Sequence, residues 1–345
     1  LPAKMIDKLQ VLDKKSDMAQ MTGFDDGEEE TVINLTVKPG MKQGWFGNAY
    51  GGYGSKDRYE GNAMVNRFVN NDQITFMGGA NNTNNMGFSD LASTMFSGMG
   101  GGGGRRGGFG AGSGITSSGN AGLNFSKEFK PDKLTLGGNT RYCHSDNDAR
   151  SKSDRQNILP GDSSSYDNSE AMSRTKSDNF GVDFRLEWKP DTMTQLIFRP
   201  SFSFSHSMND NFSDATTLDN ERDTVNTNKS SNYSESNGYN LNASIDFSRK
   251  LNNKGRVFSA TLSGGNSDSY SDGMNRSDIV YFNQTDALKN SIIDQRSRYD
   301  NKGFNYRAYV SWVEPIGHNN FIQATYSISQ RKQEALKNVY NQDAD

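Results

Sequence analysis

The sequence of 345 residues has few apolar side chains and no long apolar run. Apolar and aromatic residues make up 32%. Counting Gly in place of Tyr gives about 38%, below the roughly 45–50% of typical globular domains. The longest apolar stretches, such as Ile279 to Phe282, contain about four residues, whereas a membrane-spanning helix needs about 20. Helical membrane proteins are therefore excluded.

Cysteine and excess charge are also scarce. Cys143 is the single cysteine, so the chain can form neither an internal disulfide nor a thiolate metal cage. The net charge of −3 gives no electrostatic argument for binding nucleic acid. Aromatic residues, in contrast, reach 11%, and disordered chains have few of them. The chain is therefore expected to fold, although it has too few apolar residues to form the hydrophobic core of an ordinary globular domain.

Alternation of apolar and polar residues is the main signal from about residue 44 onward. In Phe180 to Trp188 the even positions are apolar and the odd positions include Asp183, Arg185 and Glu187. A repeat of two is the period of a β-strand. The pattern predicts an all-β fold with eleven candidate strands, which include Trp45–Tyr53, Tyr59–Phe68, Phe180–Trp188, Gly238–Phe247 and Phe304–Trp312.

Short polar turns separate pairs of strands and recur about every 60 residues. Their Asn, Pro and Gly residues suit tight reversals. They lie at Asn70-Asn71-Asp72, Lys130-Pro131-Asp132, Lys189-Pro190-Asp191, Leu251 to Gly255 and Glu314 to His318. Long loops are expected in the Ser/Asn/Asp/Gly-rich segments 83–118, 147–178, 209–235 and 272–300. The sequence thus predicts an antiparallel meander with all the short turns on one side.

Strand length favours a transmembrane β-barrel over a soluble sandwich, which would show the same alternation. Soluble strands average about 5–6 residues, but strands that cross a bilayer need about 9–11. Phe180–Trp188 and Gly238–Phe247 both reach that length. The apolar residues occupy the even positions of the first strand and the odd positions of the second, and none of these positions is charged. We expect these apolar sets to face lipid.

Aromatic residues at the strand ends predict the two interfacial girdles of an outer-membrane barrel. Those near the short turns are Trp188, Phe247, Phe258, Trp312 and Phe321. Those toward the long loops are Tyr142, Phe180, Tyr239, Tyr270 and Phe304.

No catalytic constellation is evident, so we predict a protein that is not an enzyme and has no cofactor. His144, His206 and His318 are expected on separate loops and turns, without the spacing of a paired-histidine metal site. The Gly-rich run Gly98 to Gly114 lacks the Gly-Lys-Ser/Thr ending of a phosphate loop. No residue is therefore assigned a catalytic, cofactor-binding or metal-binding role, and the substrate-binding residues stay unknown.

Two weaker signals have simpler interpretations. Arg105-Arg106-Gly107-Gly108-Phe109 is one copy of a pattern found in nucleic-acid-binding segments. A flexible external loop explains its Gly-rich composition better, and we predict no nucleic-acid partner. Asp146-Asn147-Asp148 and the segment Asp210 to Asp214 could offer oxygen ligands to Ca²⁺, but neither has the spacing of the twelve-residue calcium loop.

The first 43 residues lack the regular alternation of the rest of the chain and resemble part of a known family. They form two short mixed segments around the acidic turn Asp25 to Glu30, which we expect to be solvated. Leu1 to Leu12 and Thr31 to Lys38 resemble the end of the plug domain of TonB-dependent outer-membrane transporters. Gly44 to Gly47 and Tyr53 to Glu60, with the acidic turn, are similar to a Bacteroidota branch called the outer-membrane β-barrel family.

This resemblance implies a barrel of about 22 strands filled by a plug. Residues 1–43 would then be the C-terminal part of the plug, and residues 44–345 the N-terminal half of the barrel, so we expect the sequence to be a fragment. The implied location is the outer membrane of a Gram-negative cell. The implied partners are the lipid bilayer, a TonB-type energy-coupling protein of the inner membrane and, in addition, a surface lipoprotein.

Two functions remain open at this point. The first is energy-coupled uptake of a solute through a plugged barrel. The alternative is an outer-membrane barrel that does not transport and serves as a structural or adhesive platform for a partner. A soluble β-rich surface protein is a third and weaker interpretation of the same alternation.

Overall fold

The computed structural model describes residues 6–15, 29–38, 43–84, 114–159, 163–252, 255–282, 290–316 and 320–341, and most of them lie in β-strands. In chain order, the strands are β1 (Ile6–Lys15), β2 (Glu29–Val37), β3 (Gln43–Tyr53), β4 (Tyr59–Val69), β5 (Asp72–Asn81), β6 (Ile115–Lys130), β7 (Leu134–Leu159), β8 (Ser163–Asp191), β9 (Thr194–Leu218), β10 (Thr224–Lys250), β11 (Val257–Tyr281), β12 (Asn290–Ile316) and β13 (Asn320–Asn341). Among these residues, no helix has the length and apolar character that crossing a membrane requires.

The strands form two antiparallel sheets. β1 and β2 pair as a two-stranded sheet in which Leu12 lies opposite Val32. β3 to β13 form an eleven-stranded sheet in which every strand pairs with its neighbours in sequence. The predicted all-β antiparallel meander is therefore confirmed. The assignment of residues 1–43 to a plug domain stays a prediction.

The short connections follow local turn chemistry. Asn70 and Asp132 adopt positive φ angles of 57° and 58°, a region that Asn and Asp enter more readily than most residues. The predicted turn at Lys189-Pro190-Asp191 was wrong by about two residues, because β8 continues to Asp191 and the chain reverses at residues 192–193. The Asp191 carboxylate stabilises this turn by accepting a hydrogen bond from the Met193 amide at 2.8 Å. Pro190 lies at a register shift, where its missing N–H is tolerated.

The prediction of long external loops was largely wrong. Segment 147–178 belongs to β7 and β8 apart from residues 160–162, which lie outside the described residues. Within 209–235, β9 continues to Leu218 and β10 begins at Thr224; within 272–300, β11 continues to Tyr281 and β12 begins at Asn290. Of segment 83–118, residues 85–113 lie outside the described residues. β7 to β12 are consequently 25 to 29 residues long.

The predicted loops form strands because backbone hydrogen bonds hold a β-ladder together. Once its register has been set, the ladder does not need an apolar face. Ser, Thr and Asn pairs and oppositely charged pairs across strands also stabilise a ladder. The ladders of β7 with β8 and of β10 with β11 continue without a register shift into the polar segments. The end of hydrophobic alternation therefore marks a change of environment rather than the end of the strand.

Candidate functional site

The eleven-stranded sheet has two chemically different faces. Continuous register keeps alternate residues on opposite sides, so Phe184 marks one face and its neighbour Asp183 marks the other. We call these the aromatic face and the polar face. Exposed members of the aromatic face are Tyr142, Phe180, Phe184, Trp188, Phe202, Phe204, Tyr239, Leu241, Ile245, Leu262, Phe304, Val310, Trp312, Tyr326 and Ile328.

A row of aromatic residues bounds this apolar band at one end. Toward the long hairpins, the register places Tyr142, Phe180, Phe204 and Tyr239 side by side on four strands. Eight positions further along β8, Trp188 lies at the other end of the band, between Leu134 and Leu196 on the neighbouring strands. Eight positions correspond to about 26 Å along a strand, or about 20 Å after a tilt near 40°. This height is close to the apolar band of about 25 Å on outer-membrane barrels.

A glycine shapes the middle of the aromatic face. Gly138 lies between Phe125 and Phe184 on neighbouring strands. The two rings meet edge to face above it, with centroids 6.3 Å apart. A Cβ at position 138 would lie 2.6 Å from Cδ1 of Phe184, which is closer than atoms can pack. The absent side chain is thus what allows the rings to cover the backbone.

The polar face carries the shielded and charged side chains at the level of the apolar band. Arg199 and Asp246 form an ion pair, and Asp246 also accepts a hydrogen bond from Thr261 Oγ1 at 2.8 Å. Gln195 Nε2 donates to Glu187 Oε1 at 3.0 Å. These charges are paired and partly shielded while the aromatic residues on the other face are exposed. The sheet is therefore the inverse of a soluble one, in which the apolar face is covered.

One row on the polar face consists mainly of amide side chains, and we call it the amide row. Successive strands from β4 to β12 contribute Asn66, Thr75, Asn124, Asn139, Asp183, Ser201, Asn242, Gly265 and Asn305. Thr75 Oγ1 donates to Asn66 Oδ1 at 2.5 Å. Asn66 Nδ2 and Asn139 Oδ1 have no hydrogen-bond partner among the described residues, although both side chains are only 2% exposed.

Beyond the aromatic row, the chemistry of the two faces changes. We call these parts the distal segments: residues 143–158, 164–179, 205–218, 224–238, 269–281 and 291–301. The continuation of the aromatic face carries cross-strand ion pairs, such as Arg174 with Asp146 at 2.7 Å and Lys152 with Glu170 at 2.8 Å. The hydrogen bond from Arg174 holds the pKa of the Asp146 carboxyl below its ordinary value.

The continuation of the polar face is almost uncharged. At its positions in the distal segments, the residues are mainly Ser, Asn, Thr and Gly, and the charged ones are Arg155 and Asp167, opposite each other near the β7–β8 hairpin. In residues 267–278, Ser, Gly and Asn alternate with Asp, Tyr, Met and Arg. This period of two in polar residues is the signal that could have revealed strands where sequence analysis expected loops.

The structure places two of the three predicted histidines together, contrary to the expectation of separate loops. His144 in β7 and His206 in β9 both lie opposite Asp178 of β8. His144 Nδ1 is 2.8 Å from Asp178 Oδ1, and the Tyr142 hydroxyl donates to the same oxygen at 2.6 Å. His318 lies outside the described residues.

The other singled-out segments show no ligand geometry. The candidate calcium ligand Asp146 is engaged by Arg174 and by Lys176, and Asp210 to Asp214 lie within β9. In the part of the chain that the structure describes, no group of three or more His, Cys, Asp or Glu side chains could hold a metal ion. Residues 105–109 lie outside that part, as does the Gly-rich run apart from Gly114.

Comparisons with known proteins give no family. No family model and no curated protein matches the chain. Among seven matching chains of solved structures is the crystal structure of BamA from Haemophilus ducreyi lacking POTRA domains 1–3. It is 10% identical, the match covers 97% of this chain and 76% of that chain, and the TM-score is 0.17. A similarity of this size carries no argument, so functional conclusions must rest on the sheet itself.

Proposed function

We propose that this chain forms part of an outer-membrane β-barrel, with the aromatic face against lipid and the polar face lining the interior. The observation that carries the proposal is the inverted segregation of the sheet. A soluble monomer rarely exposes a contiguous apolar patch larger than a few hundred Å². Here the exposed aromatic side chains form a band that is bounded at one end by charged rows. In a bilayer such a band is covered by acyl chains, and paired charges on the other face meet water.

The strand number bears on how the barrel closes. In an antiparallel meander of eleven strands, β3 and β13 run in the same direction, so pairing them directly would give a parallel ladder. In a second copy inserted in the same orientation, the edge strands β3 and β13 also run in that direction. Pairing two copies edge to edge would therefore again give parallel ladders. Closure into an antiparallel barrel therefore requires an odd number of additional strands. Without them, each unpaired edge group in hydrocarbon would cost several kcal/mol.

Energy-coupled uptake of a solute is the more specific function that we propose. Its support is the resemblance of residues 1–43 to a plug domain, together with a polar face suited to a hydrated passage. The alternative is a platform that binds a partner without transport. The observation that favours it is the length of the paired distal segments, which extend up to about 40–50 Å along the strands beyond the aromatic row.

Fractionation and uptake measurements separate these functions. The full-length protein, with the additional strands that closure requires, should sediment with the outer membrane of a Gram-negative host and migrate faster on gels before boiling than after it. Recovery in the soluble fraction would refute the barrel. For transport, solute uptake should stop when the proton-motive force is collapsed by an uncoupler. A correctly inserted protein with no uptake would instead favour the platform.

A further inference from the structure

We propose that the aromatic face binds the phosphate group of an anionic phospholipid at the short-turn end of β4 to β6. This inference rests on the proposed function, because it takes the aromatic face to lie against lipid and the short turns to lie at one surface of the bilayer. It adds a headgroup preference and a location to the contact between the barrel and the membrane, which the apolar band alone does not specify.

The proposed site is formed by two basic side chains on the aromatic face. Arg67 in β4 pairs with Ile74 of β5, and Ile74 pairs with Phe125 of β6, two residues before Lys127. Arg67 and Lys127 are therefore separated by two strand spacings and two residues, about 12 Å between their Cα atoms. Both side chains are exposed. They lie within four residues of the short turns that follow β4 and β6, at the edge of the apolar band.

Each basic side chain lies over an exposed aromatic ring. The Arg67 guanidinium carbon is 5.5 Å from the centre of the Trp45 ring, and Lys127 Nζ is 5.4 Å from the centre of the Phe129 ring. Amphipathic aromatic rings and long basic side chains with their charge toward water are typical of the headgroup level of a membrane. Stacking orients a guanidinium but leaves its N–H edge free to donate to a phosphate. The pair is thus arranged to meet an anion from the lipid side.

The protein itself supplies no ion-pair partner for either cation in the part of the chain that the structure describes. The acidic residue nearest by register is Asp72 in β5, and its Oδ1 accepts a hydrogen bond from the Glu128 amide at 2.9 Å. The Glu128 carboxylate in turn accepts hydrogen bonds from Asn71 Nδ2 and from the Asp132 amide. An unpaired charge beside hydrocarbon is costly, and a lipid phosphate is the counter-charge available at this level.

The opposite end of the aromatic face has a different charge balance, which favours one leaflet. In the first three rows beyond the aromatic row, acidic side chains outnumber basic ones on β7 to β12. The basic Arg174 in this region is already paired with Asp146. An anionic headgroup would meet net repulsion there and net attraction at Arg67 and Lys127. Charge therefore assigns the phospholipid to the leaflet on the short-turn side.

The test is native mass spectrometry of the full-length protein, purified in detergent and titrated with phosphatidylglycerol, with phosphatidylcholine and with inorganic phosphate. We expect phosphatidylglycerol to bind about tenfold more tightly than phosphatidylcholine, and inorganic phosphate not to displace it. The double variant Arg67→Gln/Lys127→Gln should weaken phosphatidylglycerol binding about tenfold and phosphatidylcholine binding less than twofold. Two basic residues near an anionic lipid surface can give about 25-fold, and the charge of Asp72 offsets part of this gain. The charge-retaining variant Arg67→Lys/Lys127→Arg should lose less than about threefold.

The matched control is Lys152→Gln/Arg174→Gln. It removes the same two residue types from the same face beyond the aromatic row, where each is paired with an acidic side chain, and should alter the affinity less than twofold. Equal affinities for the two lipids, displacement by inorganic phosphate, or phosphatidylglycerol binding that survives the loss of both cations would overturn the inference, as would an equal loss in the control. If the double variant does not insert, the two-lipid comparison on the unmodified protein and the two single variants decide.

These outcomes can be separated from failure of the proposed function. An unmodified protein that inserts and shows heat-modifiable mobility, but does not prefer phosphatidylglycerol, would overturn the lipid site and leave the barrel proposal intact. Loss of membrane localisation of the unmodified protein would overturn both.

Discussion

Phe184→Arg tests which face of the sheet meets lipid. Phe184 lies near the middle of the apolar band and is 42% exposed. An arginine facing lipid at the bilayer midplane costs about 2–4 kcal/mol. The substitution also removes the ring contact with Phe125, which is worth about 0.5–1.5 kcal/mol. Together these terms predict a loss of about 2.5–5.5 kcal/mol, which lowers the ratio of folded to unfolded protein by about two to four orders of magnitude.

Asp183→Arg is the matched control, one residue away on the polar face. Arg185 and Arg199 already lie on that face, where an arginine can reach water. We expect a loss below about 2 kcal/mol, mainly from repulsion between cationic side chains. The assay is the fraction of protein with heat-modifiable mobility in outer membranes, followed by urea unfolding in lipid vesicles. Equal losses in the two variants would refute the assignment of faces, and a larger loss for Asp183→Arg would reverse it.

Four further predictions follow from the same geometry. In a background without the native cysteine, Glu221→Cys at a long hairpin should react with an impermeant thiol reagent on intact cells, whereas Asp132→Cys at a short turn should not. Gly138→Val should lower the free energy of unfolding in lipid vesicles by about 1–3 kcal/mol, because the added side chain overpacks two rings. The Asp146 pKa is lowered, so its pair with Arg174 stabilises the distal strands above about pH 4. That contribution is lost as the pH falls through the lowered pKa, so Arg174→Gln should speed amide exchange in the distal strands at pH 7, and this effect should shrink as the pH is lowered below about 4. Residues 1–345 expressed alone should not give a heat-resistant inserted monomer, and a protease-resistant monomer in detergent would contradict the need for further strands.

Sequence alone predicted the number of strands in the large sheet and the residues on each face. Both depend on local alternation, as in Phe180 to Trp188, where every second residue is apolar. The distal segments could not be predicted in that way, because they lack hydrophobic contrast. Ser267 to Asp278 does alternate, but between small polar residues and larger or charged ones. That pattern reports two different environments for the two faces, neither of which is lipid.

The amide row was not predictable, because it depends on register rather than on alternation. A turn centred on Pro190, as the sequence suggested, would have placed Asp183 opposite Ile197 instead of Ser201. An even shift of this kind leaves every side chain on its own face but breaks every row across the hairpin. The actual reversal at residues 192–193 depends on Asp191, whose carboxylate accepts hydrogen bonds from both Met193 and Thr194. The residues on each face of this sheet are thus determined by the sequence of each strand, whereas the amide row is determined by the turns, because the turns set the register between strands.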